Sequence, residues 1–201
     1  APRPAKQGPW RPNLRAIDTL CLLWLLGCAG FTLRLLVGYR VVALGGALLH
    51  SAGVVRGGRA HLFAGCSGAG KSTLSRMALE CGMDVLSDDL NAVIPGQGNW
   101  FALRLPFSGD LGCRRSPAGE YPSEYPVASV AQLVKSPTSA VEPLGAARAV
   151  ALLLACSPYV NADPHRVPHL LDNLERFVGS GVALCTFRFS LDDDCWHLLP
   201  S

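Results

Sequence analysis

Gly65-Cys66-Ser67-Gly68-Ala69-Gly70-Lys71-Ser72 decides how this chain is read. Two glycines frame four residues, then Lys and a hydroxyl follow, which is the phosphate-loop (P-loop) pattern. The spacing has a physical reason. Glycines adopt backbone angles closed to other residues, so consecutive N–H groups can curl around an anion. Lys71 supplies a point charge for the β- and γ-phosphates, and the Ser72 hydroxyl suits Mg²⁺. His61-Leu62-Phe63-Ala64 predicts the strand entering the loop. Leu74, Met77, Ala78 and Cys81 recur at helical spacing behind it, and Gly82 stands where that helix stops. The order strand, glycine loop, helix predicts an α/β fold with a nucleoside polyphosphate at the helix N-terminus. Residues 65–73, Thr73 included, are the expected ATP-binding segment. The bland alternative is a glycine turn with a chance lysine.

Working outward, Ala47–Val55 reads as a strand carrying His50, and Arg56-Gly57-Gly58-Arg59 as a hairpin turn. The loop strand is therefore expected antiparallel to the His50 strand. Downstream, Asp84-Val85-Leu86 predicts a short strand ending at Ser87-Asp88-Asp89. If that strand lies beside the loop strand, as a P-loop fold expects, its carboxylates face the γ-phosphate and Mg²⁺. One of Asp88 and Asp89 then holds metal while the other takes a proton from an attacking hydroxyl. Ser-Asp-Asp also suits an ordinary turn. A lone His in an apolar strand is more often a satisfied core residue than a functional one.

Further strands are predicted at 91–94, 100–105, 126–134 and 183–189, and helices at 144–156 and after Pro168. Residues 106–125, rich in Pro, Gly, Ser and Arg, read as a long functional loop. Asp192-Asp193-Asp194 reads as a solvated turn.

Composition narrows the classes. The 201 residues suffice for one good core, and a formal charge of +3 with only three lysines leaves no basic run for nucleic acid. Eight cysteines at irregular spacing match neither a zinc site nor a disulfide framework, so a reduced, cytoplasmic setting is expected. The first residue is Ala, which suggests a processed form or a fragment. Residues 1–15, where Arg and Lys mix with Pro, read as a flexible tail, 16–45 as an apolar helical segment, and 46–201 as the P-loop domain. The apolar stretch Thr19–Leu33 lies between Asp18 and Arg34 and falls short of the ~18–20 residues a span needs. A buried or docking helix is expected there rather than a membrane segment.

The order Leu48-Leu49-His50, then Lys71 of the glycine loop, then Ser87-Asp88-Asp89 resembles the catalytic core of the HPr kinase/phosphorylase family, related in fold to phosphoenolpyruvate carboxykinase. The match covers residues 47–94 best. The resemblance implies a P-loop kinase core with a mixed sheet flanked by helices. It also implies ATP and Mg²⁺ as cofactors, a protein or peptide serine as phosphoacceptor, and possible homo-oligomers. It assigns His50 to the active site, Lys71 to the phosphates, Ser72 to Mg²⁺, and Asp89 as general base with Asp88 beside it. The family's later acidic E-[IV]-R-G segment has no match here. Asp110 and Glu120 are the nearest candidates, and Arg148 is the best candidate for its late arginine. The chain looks most like the short HPr-kinase-like proteins found with peptide-modification systems. Two other readings stay open: a non-catalytic ATP-binding sensor or assembly module, and a small-molecule P-loop kinase.

Overall fold

The computed structural model describes residues 14–105, 107, 109, 122–191 and 194–200. Asp110, Glu120, Asp192, Asp193, most of the predicted tail and most of the predicted 106–125 loop lie outside these residues. The chain divides into two units, Ala1–Leu36 and Val37–Ser201, and the division falls within the first helix.

That helix, α1 (Leu14–Ala43), is one uninterrupted element of 30 residues. It ends where Gly45 takes φ 82°. The Gly46 N–H then reaches the Val41 carbonyl and the Gly45 N–H the Val42 carbonyl, both at 2.9 Å. These two bonds form a Schellman close. Of the buried or docking helix expected over Thr19–Leu33, burial is not found from Cys21 to Leu33. Leu22, Leu23, Trp24, Leu25 and Leu26 are all exposed, and five consecutive residues sample every side of a helix. The helix runs on through Arg34 to Ala43. Cys21–Ala43 is long and apolar enough to cross a membrane by length and composition.

In the second unit eight strands make a mixed sheet flanked by helices. Strands β1 (Ala47–Arg56) and β2 (Arg59–Ala64) form a hairpin, closed by Gly57 and Gly58, both at positive φ. Two such residues make the turn whose twist matches the flanking strands. Helix α2 (Lys71–Glu80) follows, then β3 (Asp84–Ser87), β4 (Leu90–Pro95) and β5 (Trp100–Leu103). After the 106–121 region come β6 (Glu124–Lys135), β7 (Ala140–Pro143), α3 (Ala146–Ala155), α4 (Val167–Val178) and β8 (Ala183–Phe189), then a 3₁₀ turn at Trp196–Leu198.

The strand order is β2-β1-β4-β5-β6-β8-β7, with β3 on β1 and a further pairing of β2 with β6. The β2–β6 and β6–β8 pairs are parallel, and β1 is antiparallel to β2, β3 and β4. One expectation is corrected here: β3 does not lie beside the loop strand β2. The two-residue turn commits one edge of β2 to β1, and β6 takes the other, so β3 is left the far edge of β1. Strand β7 escaped the sequence reading because it is four residues long, ends in Pro143 and has no buried residue.

Alternation along β2 divides its side chains between two of the three buried apolar clusters. Ala60, Leu62 and Ala64 of β2 face Leu153, Leu170, Leu174 and Phe177 of α3 and α4. Phe63 faces the opposite side with Leu74 and Ala78 of α2 and Phe187 of β8. The Phe63 and Phe187 rings meet edge to face at 5.2 Å.

His61, also on β2, is buried and shares a 2.9 Å hydrogen bond with Ser129 Oγ of β6. Burial, with Arg56 and Arg59 nearby, holds its imidazole down to about 4 from 6.5. The folded pKa lies below the unfolded one, so this contribution is present above pH 6.5 and is lost as pH falls toward 4. The loss is on the order of 2–3 kcal/mol. In urea titrations at a series of pH values, His61→Gln should lose correspondingly less stability across that window than the unaltered chain. Parallel losses would contradict it.

Candidate functional site

Strand β2 delivers Gly65 to the carboxyl edge of the sheet, and the glycine loop turns there. The Ala69 N–H donates to the Cys66 carbonyl at 3.1 Å, and Gly68 takes φ 80°. Gly70, the N-cap of α2, takes φ 105°. A Cβ on Gly70 would stand 2.6 Å from the Phe189 ring and 3.2 Å from Lys135 Cε. Angle and space therefore both demand glycine, and the N-terminal amides of α2, without a side-chain cap, adjoin the loop.

Lys71 is 7% exposed. Its ammonium folds back across the loop and donates to the Gly65 carbonyl at 2.9 Å and the Cys66 carbonyl at 3.2 Å. Burial lowers its pKa, while Cys156, Cys66 and Asp89 act in the opposite direction. The loop cation thus lies within electrostatic reach of Asp89. Ser72 and Thr73 form the first turn of α2 and are half-buried.

The acidic pair arrives from β3. Ser87 Oγ accepts from the Asp89 N–H at 3.1 Å and the Leu90 N–H at 3.2 Å, making a tight turn. Asp88 is 4% exposed. The Asp89 carbonyl accepts from the Ser51 N–H of β1 at 3.1 Å. One residue back on β1, His50 Nδ1 lies 3.0 Å from Asp89 Oδ1. The structure therefore brings His50, Lys71 and Asp89 to one locus, with Asp88 adjoining.

Three contributors carried no motif. Asn91 is fully buried in β4, and its side-chain amide donates to the Ser51 carbonyl at 2.7 Å and more weakly to Ser51 Oγ and the Ser87 carbonyl. It ties β1, β3 and β4 together directly beneath the acidic turn. A polar residue inside the apolar run Leu90–Val93 was the available signal. Cys156, which caps α3, accepts the His50 N–H on its carbonyl at 2.6 Å. Burial raises its thiol pKa, while the Gly65 backbone and Lys71 lower it. Gly109 packs so closely on Asp88 and Asp89 that a side chain would collide with them. Arg148 is not brought in; it is exposed on the first turn of α3, and it is the opposite end of that helix that reaches the loop. Asp194 serves as a cap, accepting from the Trp196 N–H at 3.2 Å.

Gly70→Ala tests how tightly the loop is built. Left-handed strain of about 1–2 kcal/mol, plus the clash with Phe189, should lower the denaturation midpoint measurably. A midpoint equal to that of the unaltered chain would show that the loop relaxes freely.

No curated protein matches this chain. Among solved structures, the HPr(Ser) kinase/phosphatase from Coxiella burnetii aligns over 72% of this chain and 86% of its own, with 13% identity and a TM-score of 0.39. That similarity is too low to support an argument about fold or activity. A family model, "SynChlorMet cassette protein ScmC", matches residues 31–170 and so spans the glycine loop, the acidic turn, His50 and Cys156. The chain belongs to the ScmC family.

Proposed function

We propose that this protein is an ATP-dependent kinase that transfers the γ-phosphate to a serine hydroxyl of a protein or peptide. The observation that carries the reading is the meeting of two sequence-distant groups. The glycine loop with Lys71 stands on one side, and the His50–Asp89 pair at 3.0 Å on the other. A phosphate cradle alone is a binding site. A cradle facing a carboxylate that is oriented by an imidazole has the parts for in-line transfer. The motif resemblance over residues 47–94 supports the same assignment.

The residues fit the groups they would hold. The loop presents backbone amides at a helix N-terminus that has no side-chain cap. Ser72, Asp88 and Asp89 are hard oxygen donors of the kind Mg²⁺ takes, and the bound ion would neutralise charge on the phosphates. In the proposed reaction the serine oxygen bonds to the γ-phosphorus as the bond to the bridging oxygen breaks, and ADP leaves. Asp89 accepts the hydroxyl proton, and His50 holds that carboxylate in place. Lys71 leaves the Gly65 and Cys66 carbonyls for the phosphates and stabilises the charge that spreads over the transferred group.

Transfer of label from γ-³²P-ATP in a cell extract tests the proposal. A labelled protein or peptide band is expected with the unaltered chain. It should fall by about 10²–10⁴-fold with Asp89→Asn, whose ATP affinity should stay nearly unchanged, and vanish with Lys71→Ala. ATP binding without any labelled band would favour a nucleotide-sensing module instead.

Cys66 offers a second check, because it is exposed within the loop. Alkylation of Cys66 by N-ethylmaleimide, mapped by peptide mass, should slow when MgATP is present. Cys81, also exposed but beyond α2, should react at an unchanged rate. Equal rates at Cys66 with and without nucleotide would count against occupancy of the loop.

A further inference from the structure

The sheet order gives the proposed phosphate site two different flanks. Strand β2, which carries the loop, lies between β1 and β6. The β1 flank holds His50 and, through β3, the acidic pair. The β6 flank holds something else. Strands β2, β6 and β8 are mutually parallel, so their carboxyl ends share one edge, where ligands of α/β sheets bind. At that edge a cleft of roughly 420 Å³ opens, lined by Thr73, Lys135, Ser136, Pro137, Phe189 and Leu191. Its size falls within the range of small-molecule sites.

We propose that this cleft takes the nucleoside of the phosphate donor, so that the donor is a nucleoside triphosphate rather than a bare polyphosphate. This inference rests on the phosphate-loop reading above. A triphosphate lying along the loop with its terminal phosphate toward the Asp89 flank must carry its α-phosphate toward the opposite flank. The cleft is on that flank and contacts the loop directly. Thr73 belongs to the first turn of α2, and Phe189 and Lys135 are the side chains that close over Gly70.

The lining suits a base and a sugar. Phe189, Pro137 and Leu191 offer apolar surface for a flat ring, and Thr73, Ser136 and Lys135 offer polar atoms for its edges and for the ribose. Leu191 is 68% exposed just beyond the end of β8, so it contributes little to either core. Lys135 brings a second lysine to the loop, with its stem against Gly70.

The test compares MgATP with magnesium tripolyphosphate, titrated calorimetrically into the full chain. The unaltered protein should bind ATP at least tenfold more tightly than tripolyphosphate. Leu191→Asp and Pro137→Gly, both at exposed positions, should together weaken ATP by about tenfold while leaving tripolyphosphate within twofold. Equal affinities for the two ligands in the unaltered chain would overturn the assignment. So would a double variant that weakens both ligands alike, or neither. Failure of both ligands to bind the unaltered chain would instead reject the phosphate-loop reading, and this inference with it.

Discussion

The antiparallel pairing of β1 with β2 is the constraint on which the candidate site depends. Six registered pairs, from Ser51 opposite Ala64 to Arg56 opposite Arg59, hold the His50 strand against the loop strand. The turn between them has only Gly57 and Gly58, so the register cannot slip without turning every buried side chain to the other face. The pairing brings the start of the glycine loop alongside the His50 end of β1. It also leaves the other edge of β1 for β3, which ends in the acidic turn. Sequence-distant groups meet because one strand lies between two carriers.

The same hairpin separates two of the apolar clusters. Alternate residues of β2 face α3 and α4 on one side and α2 on the other, so both packing layers clamp the strand that positions the loop. Asn91 adds a polar lock within this apolar frame. Its amide satisfies backbone carbonyls of both β1 and β3, which a hydrophobic residue of the same size could not do. The acidic turn is thereby fixed by hydrogen bonds on two sides, through Ser87 Oγ and through the Ser51 N–H.

Much of this was legible in the sequence, and the limits have physical causes. The glycine loop, the hairpin and α2 are local structures, written in short patterns with fixed spacing. The meeting of His50 with Asp89 was legible only through a family resemblance, because no local rule sets the pairing partner of β3. The position of β3 was misread for that reason: pairing choice depends on which edges remain open, and the β2–β6 pairing that fills one of them spans more than sixty residues. Cys156 and Gly109 were illegible because a helix cap and a loop glycine carry no mark of what they will touch. Arg34 interrupts the apolar run of α1 without ending the helix. Among so many apolar neighbours one arginine costs a helix little, since its long stem packs like a hydrophobe and its charge reaches outward.

Lys71 shows why the pieces belong together energetically. A buried ammonium is costly unless its donors are satisfied, and here two loop carbonyls and the nearby Asp89 perform that task. Carbonyl dipoles compensate a full charge only in part, which is consistent with burial lowering this lysine's pKa. An anion entering the loop would offer the ammonium a stronger partner, while the α2 amides, directed at the same volume, lose water to the same ligand. The groups that carry charge around the loop are therefore ones a polyphosphate would complement, and the nearby Asp89 keeps that charge from being uniformly positive. A site with charge of both signs held on opposite walls favours a ligand that is itself divided, anionic where it meets the lysine and bridged by a cation where it meets the acids.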